Sequence, residues 1–481
     1  MKWHVVVRYI GVVLLVVATF MFLSAVLSFI EKDEAFVPLL FAGIITGVAG
    51  IFPMIFTPKE NELNTREGHI IVALAWLFGC LFGMLPYVLW GGEFTVTNAW
   101  FESVSGFTTT GATILNDIEV LPKGLLFWRS STHWIGGVGV VVFTLIVLPS
   151  VGSAKMRLSR AESFRLAQHK DAKHTSQQIV RIVLKVYVWL TLLSVVALLV
   201  AGMTLFDAVN HAFSAVATGG FSTKNASIMH YDSVAIEVVL IVIMLLSSIN
   251  YGLLYVAIIK RVGSLFSSPI VRYYLGSVLV GVAVVALSLR FQGNVESLPS
   301  AVRQASFQMV ALVSTTGFAG CDNVMWPPLA IMVSLVLMLQ CGCAGSTSGG
   351  IKADRIVIFH KALVARIRKN LHPNAVVPIK LKGVVMDDDA VSSTTLFIGV
   401  YIAIVLFSAI LLLASGVGLT ESVTGAISCM GNVGPGYGAI ASLGNFGDFG
   451  AFSKVICTLT MLIGRLEIFG FIVIFYFRYW R

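Results

Sequence analysis

A short polar phrase with glycine in its third place recurs four times in an otherwise hydrophobic chain. The copies are Thr109-Thr110-Gly111-Ala112-Thr113, Thr218-Gly219-Gly220-Phe221-Ser222, Thr315-Thr316-Gly317-Phe318-Ala319 and Asn432-Val433-Gly434-Pro435-Gly436. The glycines stand 109, 97 and 117 residues apart (111 to 220, 220 to 317, 317 to 434). Self-similarity at such spacing means one supersecondary unit used four times. Only 12% of the 481 residues are charged, 57% are hydrophobic, and mean hydropathy is +0.89. Soluble domains carry roughly 25% charged residues. These units therefore belong in a bilayer, where four glycine-centred loops around one axis point to an ion selectivity filter.

A spanning helix needs about 20 apolar residues. The pattern predicts ten, over 9–30, 36–56, 69–90, 125–149, 179–204, 234–259, 271–291, 327–360, 392–415 and 452–478. The first pair stands apart, and the other eight form four pairs. Each of these pairs encloses an apolar segment too short to cross: Asn98–Thr108, Asp207–Ala217, Ala301–Ser314 and Glu421–Gly431. Helix-start residues precede or open them, at Thr97, Asp207, Ser300 and Thr420. Each segment runs straight into its glycine phrase, so each unit reads helix, half-helix, loop, helix. Non-helical backbone at membrane depth is tolerated only where protein buries it or water lines it. The expected fold is an all-α membrane protein with ten spanning helices and four re-entrant pore half-helices. It divides into an N-terminal helix pair (1–60) and four pseudo-symmetric pore repeats (61–150, 151–262, 263–385 and 386–481). The second repeat includes a basic cytoplasmic linker. Outer loops with incidental glycines are the plainer alternative, since the chain has 44 glycines. Four capped half-length helices at near-equal spacing argue against it.

Net charge is +9, and the basic residues are clustered. Lys155, Arg157, Arg160, Arg165, Lys170, Lys173, Arg181 and Lys185 share one linker. Lys260, Arg261 and Arg272 mark another, and Lys361, Arg366, Arg368, Lys369, Lys380 and Lys382 a third, with Arg478 and Arg481 at the end. The positive-inside rule puts these segments and both termini in the cytoplasm. Their position between apolar spans accounts for them without a nucleic-acid partner. The six cysteines lie mostly in apolar runs, which reads as buried small hydrophobes, not a disulfide framework. Cys341-Gly342-Cys343 has no accompanying His or acidic cluster for a metal. Glu102, Asp207 and Glu421 sit in or at the start of half-helices, where capping or weak cation attraction explains them. His169 and His174 fall in the basic linker, where a solvated surface is the default.

A filter replaces a cation's hydration shell with oxygen ligands. Inward-turned carbonyls need backbone angles open mainly to glycine, hence Gly111, Gly220, Gly317 and Gly434. The predicted ion-binding set is Thr109, Thr110, Gly111, Thr218, Gly219, Gly220, Thr315, Thr316, Gly317, Asn432, Val433 and Gly434. It contains no carboxylate, which favours a weakly hydrated monovalent ion over Mg²⁺ or Ca²⁺. Half-helix dipoles place partial negative charge below the loops and favour a cation there.

These phrases resemble those of the Trk/Ktr/HKT potassium transporter superfamily, most closely the membrane subunit of bacterial Trk systems. The matching stretches are Ser105–Thr113, Ala217–Thr223 and Ser314–Phe318, with the Gly-rich run 342–350 and Gly464-Arg465. The resemblance implies potassium uptake across a bacterial inner membrane, with K⁺ as the transported ion and no organic cofactor in this chain. It further implies a homodimer and a cytoplasmic nucleotide-binding regulatory subunit. In that family Gly, not Ser, in the first loop goes with potassium over sodium, and Gly111 fits. The fourth phrase departs from the other three, so selectivity among alkali ions is expected to be looser. Channel-like flux and proton- or sodium-coupled symport both remain open.

The helix expected over 327–360 is interrupted by Gly342-Cys343-Ala344-Gly345-Ser346-Thr347-Ser348-Gly349-Gly350, the longest small-residue run in the chain. Gly costs about 1 kcal/mol against Ala in a helix, so a break at membrane depth is expected. The phosphate-loop reading fails, because Ile351 precedes Lys352 and no strand comes before the run. Tight helix packing is the serious alternative. The resemblance favours a gate loop obstructing the path, with Gly345, Ser346, Thr347, Ser348 and Gly349 at its centre. Arg465 stands mid-way along the last expected helix, too deep for easy snorkelling. It is expected to line the pore near this loop, with pairing to a carboxylate such as Asp354 as the alternative. Lys352 is a weaker candidate for the same region. An intramembrane enzyme needs nucleophile and base, or paired acids, on facing helices, and the spans offer no such set.

Overall fold

The computed structural model describes residues 2–58, 65–147, 176–259, 263–292, 295–381, 384–468 and 470–471. Most of the basic linker thus lies outside the described residues, including Lys155, Arg157, Arg160, Arg165, His169, Lys170, Lys173 and His174. So do Lys260, Arg261, Lys382, Arg478 and Arg481.

The chain opens with α1 (Trp3–Glu31) and α2 (Phe36–Phe56), an antiparallel pair. Small residues set their distance, since a methyl group on Gly11 would lie 2.7 Å from the Gly50 carbonyl oxygen. The first repeat comprises α3 (Thr65–Gly83), α4 (Leu85–Trp90), the half-helix α5 (Val96–Phe107) and α6 (Lys123–Val147). The second comprises α7 (Ser176–Val200), the half-helix α8 (Leu205–Val216), α9 (Val234–Ser247), α10 (Tyr251–Ile259) and the single turn α11 (Gly263–Phe266). The third comprises α12 (Pro269–Phe291), the half-helix α13 (Leu298–Val313), α14 (Pro328–Gln340) and α15 (Ala353–Leu371). A two-residue hairpin, Lys380–Leu381 with Val384–Val385, leads to the fourth. That repeat comprises α16 (Asp388–Ala414), the half-helix α17 (Leu419–Gly431) and α18 (Ala451–Arg465).

Among the described residues, six of the expected spans are long and apolar enough to cross a membrane: Trp3–Glu31, Phe36–Phe56, Glu67–Trp90 (α3 with α4), Val180–Val200, Pro269–Phe291 and Asp388–Ala414. The second helices of repeats two and four depart from the expected single span, and that of repeat three breaks at the Gly-rich run as expected. The stretch 234–259 is two helices, α9 and α10, bent by 106°. The stretch 327–360 divides into α14 and α15 around the Gly-rich run. The helix expected over 452–478 stops at Arg465, and Glu467 and Ile468 follow with φ of 53° and 44°. Arg465 is therefore a helix end, not a mid-helix residue.

The half-helices are 12, 12, 16 and 13 residues long. Their caps lie two or three residues upstream of the expected ones. Thr95, Thr204 and Ser297 accept from the backbone N–H three residues on, and Gly418 caps the fourth without a side chain. Each helix starts on an exposed apolar residue, Val96, Leu205, Leu298 or Leu419. A cap sought at the head of the denser apolar run therefore falls late. Around the outside, Phe52, Ile55, Trp189, Leu193, Phe407 and Ile410 are exposed, which suits a lipid-facing surface.

Candidate functional site

The four half-helices end alike. Thr109, Thr218, Thr315 and Asn432 take left-handed backbone with φ of 51°, 56°, 61° and 54°. The next N–H then bonds back into the helix: Thr110 to Ser105 O at 2.9 Å, Gly219 to Ser214 O at 2.8 Å, Thr316 to Ala311 O at 3.0 Å and Val433 to Ser428 O at 3.0 Å. That is the six-to-one bond of a Schellman helix end, whose left-handed place normally holds glycine or asparagine. A β-branched threonine there costs of order 1–3 kcal/mol and persists only where its surroundings over-determine it.

What over-determines it is a ring. Two residues further on, Gly111, Gly220, Gly317 and Gly434 have φ of 80°, 91°, 71° and 105°. A methyl group on Gly111 would lie 2.0 Å from Gly219 O, one on Gly220 2.0 Å from Thr316 O, and one on Gly317 2.0 Å from Val433 O. One on Gly434 would lie 2.6 Å from Thr110 O. Each glycine thus packs on the second carbonyl of the next loop, in the order one, two, three, four, one. Asn432 Nδ2 closes the same junction by donating to Thr110 Oγ1 at 3.0 Å. The four glycines line one cavity of about 110 Å³, open to solvent. The Thr109 hydroxyl and Asn432 Oδ1 are buried oxygens with no hydrogen-bond partner among the described residues.

Each loop is also braced from its own half-helix, nine or ten residues before the glycine. Glu102 accepts from Thr113 Oγ1 at 3.0 Å and Ile114 N at 3.2 Å. His211 Nε2 meets Ser222 Oγ at 2.9 Å, Gln308 Oε1 accepts from Gly320 N at 3.5 Å, and Thr424 Oγ1 accepts from Tyr437 N at 3.0 Å. Glu102 is fully buried and paired with buried Arg129 at 2.7 Å. Of the two readings offered for it, capping does not hold for Glu102, which an ion pair keeps inside. Asp207 likewise binds Thr204 Oγ1 at 2.9 Å and Thr223 Oγ1 at 2.6 Å.

A second layer lies against the carbonyl ends of the half-helices. The Gly-rich run forms a loop whose exit folds back on its entry, with Lys352 N donating to Gln340 O at 2.9 Å. The break between α9 and α10 receives it. Cys343 N donates to Ser248 O at 2.8 Å, Tyr251 N to Gly345 O at 3.1 Å, and Asn250 Nδ2 to Ala344 O at 2.8 Å. Thr347 Oγ1 donates to Val216 O at 3.1 Å, and Gly349 N to Thr315 Oγ1 at 3.2 Å. A methyl group on Gly349 would lie 2.3 Å from Gly431 O. Arg465 Nη1 donates to Thr347 O at 2.7 Å, while its Nε and Nη2 have no partner among the described residues. The alternative pairing of Arg465 with Asp354 is not what is found: Asp354 accepts from Ala344 N. Glu467, just past the helix end, binds Lys352 Nζ at 2.9 Å and Arg355 Nη2 at 2.7 Å.

The structure thus brings the predicted ion-binding residues into one ring and sets the predicted gate residues against it, with Arg465 touching the loop. Sequence reasoning missed the left-handed threonines, the Glu102–Arg129 pair, the break at 248–250 and the Glu467 contacts. The threonines carried a readable signal, since a short hydrogen-bonding side chain opens all four phrases.

A family model of TrkH, described as a cation transport protein, matches residues 39–479. The chain belongs to the TrkH family. It is 32% identical to the Trk system potassium uptake protein TrkH of Salmonella typhimurium, and 33% identical to that of Halomonas elongata, each over the full length of both chains. It is 32% identical to the Trk system potassium uptake protein TrkG of Escherichia coli, over 89% of this chain and 88% of that one. The crystal structure of the potassium transporter TrkH from Vibrio parahaemolyticus superposes over the whole of both chains with a TM-score of 0.90 at 29% identity. A family of cation transport proteins is not a family of enzymes, which removes the intramembrane-enzyme reading.

Proposed function

We propose that this chain takes up potassium through the four-loop ring, gated by the loop of 341–352 with Arg465. The observation that carries the reading is the closed ring, in which each of four glycines lies against the next loop's carbonyl and all four line one cavity with no carboxylate in its lining. Such a site ligates by dipoles and suits a monovalent cation. The unpartnered hydroxyl of Thr109 and amide oxygen of Asn432 support ligation there. Arg465 bears on conduction through its charge: a buried guanidinium beside the path opposes a cation. The relatives' names, all potassium uptake proteins, favour K⁺ as the ion.

Cytoplasmic placement of both termini rests on the basic linkers, as do the electrostatics of docking a soluble nucleotide-binding subunit, and residence in a bacterial inner membrane rests on the family resemblance. The family resemblance is the support for a homodimer. Ion coupling, to protons or sodium, is the second reading within transport. The deciding measurement is Rb⁺ uptake by purified protein in vesicles, with and without a proton or sodium gradient. Uptake driven by the Rb⁺ gradient alone supports a channel-like path. Absence of Rb⁺ uptake under every gradient removes the reading.

A further inference from the structure

The second phrase is the only one of the four with glycine in both its second and third places. In loops one and three the second residue is threonine, tied to a hydroxyl two residues before it. Thr110 Oγ1 meets Thr108 Oγ1 at 2.8 Å, and Thr316 Oγ1 meets Ser314 Oγ at 2.8 Å. Loop two has Ala217 and Gly219 at those places, so neither hydroxyl exists. The space is filled from another repeat. His133, on α6 of repeat one, is fully buried, and a methyl group on Gly219 would lie 2.2 Å from its Nδ1 and 2.4 Å from its Cγ. Its ring stacks on Phe221 with centroids 4.1 Å apart and planes 19° apart. Its Nδ1 meets Ser214 Oγ at 3.0 Å. Ser214 is the residue whose carbonyl accepts the Gly219 N–H at 2.8 Å in the Schellman end. The Arg129 guanidinium, one helical turn before His133, lies 4.0 Å from the same Phe221 ring.

We propose that His133 is a positioning residue for the second filter loop, an imidazole standing in for the Thr-and-hydroxyl pair that holds loops one and three. It sets the place of the Gly219 carbonyl, the one on which Gly111 packs, and through it the fit of loops one and two. Filling by histidine explains why glycine occupies position 219, since no side chain fits beside the ring. The inference rests on the reading of the four loops as the selectivity filter.

The test measures Rb⁺ over Na⁺ uptake ratio in vesicles, with purified abundance and thermal midpoint measured alongside. Removing the ring with His133→Ala lowers the ratio by roughly tenfold, the lower end of what a misfit costs in a selective site, while Rb⁺ flux persists. Adding Ala217→Ser and Gly219→Thr to that variant rebuilds the arrangement of Ser314 and Thr316 and restores the ratio. A merely structural histidine would lower the midpoint and leave the ratio alone. Gly317→Ser, in the third loop, serves as the control on the filter itself. If it lowers the ratio and His133→Ala does not, the role of His133 is overturned and the filter reading stands. If neither variant moves the ratio, the filter reading falls and this inference with it. A triple variant that folds without restoring the ratio overturns the stand-in role. Should His133→Ala not be recoverable, His133→Asn carries the same comparison: it keeps a hydrogen-bonding group for Ser214 but loses the ring over Phe221, so an unchanged ratio is equally fatal.

Discussion

The ring of four glycines and the loop packed against it are built from the same small and hydroxylic residues, yet they are held in opposite ways. The ring closes on itself: each glycine lies against the next loop's carbonyl, and each loop is braced from its own half-helix. The loop hangs from other elements by three hydrogen bonds to the α9–α10 break and by single ones to Val216, to Thr315 and to Arg465. A closed ring has no second arrangement that keeps its contacts. A loop tied at separate points, between helices that are already broken, can exchange one set of ties for another. Under the proposed function, the difference separates a part that holds a geometry from a part that changes one.

The sharpest way to break this comparison is at the ring's brace. Glu102→Ala leaves the Arg129 guanidinium buried and unpaired, which costs about 3–5 kcal/mol by the general experience of buried pairs. The midpoint of thermal unfolding in detergent should fall accordingly. Replacing both residues, with Glu102→Gln and Arg129→Met, should recover much of that loss. A single variant as stable as the parent would mean that the ring is not held from behind.

Next come the ring glycines. Gly317→Ser puts a side chain against Val433 O and Pro435 Cδ in backbone that disfavours it, and should reduce the Rb⁺ over Na⁺ ratio by about a hundredfold at most and tenfold at least. Gly434, whose neighbour is 2.6 Å rather than 2.0 Å from the added carbon, should tolerate serine better. Equal losses at the two positions would show that backbone angle alone, not the neighbouring carbonyl, sets the requirement.

The loop's behaviour should differ in kind. Arg465→Ala, and deletion within 345–349, should each raise basal Rb⁺ uptake about tenfold with little change in stability. In the double variant the effects should fall short of additivity, because Arg465 Nη1 and Thr347 O form one contact. Additive effects would make them two separate obstacles.

How much of this was legible beforehand follows the same division. Four half-helices and their glycines could be read, because local periodicity and turn chemistry specify them. The identity of the ring contacts could not, since Gly111 and Gly219 meet only through the arrangement of repeats. Glu102 offered only capping or cation attraction to sequence reading because its partner, Arg129, is 27 residues away on another helix. The break at 248–250 was hidden in a run apolar enough to pass as one span, with Asn250 as its one strong polar mark. Arg465 was placed near the Gly-rich loop correctly, yet in mid-helix wrongly, because the apolar residues after it continue the pattern past the point where Glu467 and Ile468 turn the chain.

The smallest expected effect belongs to Glu467, and it tests whether the loop's outer ties resemble the ring's or the loop's own. Glu467 bridges Lys352 at the end of the loop and Arg355 in the first turn of α15, and its side chain is 29% exposed. An ion pair partly open to water is worth roughly 0–1 kcal/mol and is screened by salt. Glu467→Gln keeps the shape and removes the charge, so it should loosen the tie between the helix end and the loop without unfolding either. Basal Rb⁺ uptake should rise by about twofold at low ionic strength, as a loss of a few tenths of a kcal/mol implies, and the difference from the parent should shrink in high salt. A rise as large as that of Arg465→Ala would place Glu467 among the principal restraints on the loop and make the closed state an electrostatic latch. No rise at any salt concentration would confine the restraint to Arg465 and the hydrogen bonds around Thr347.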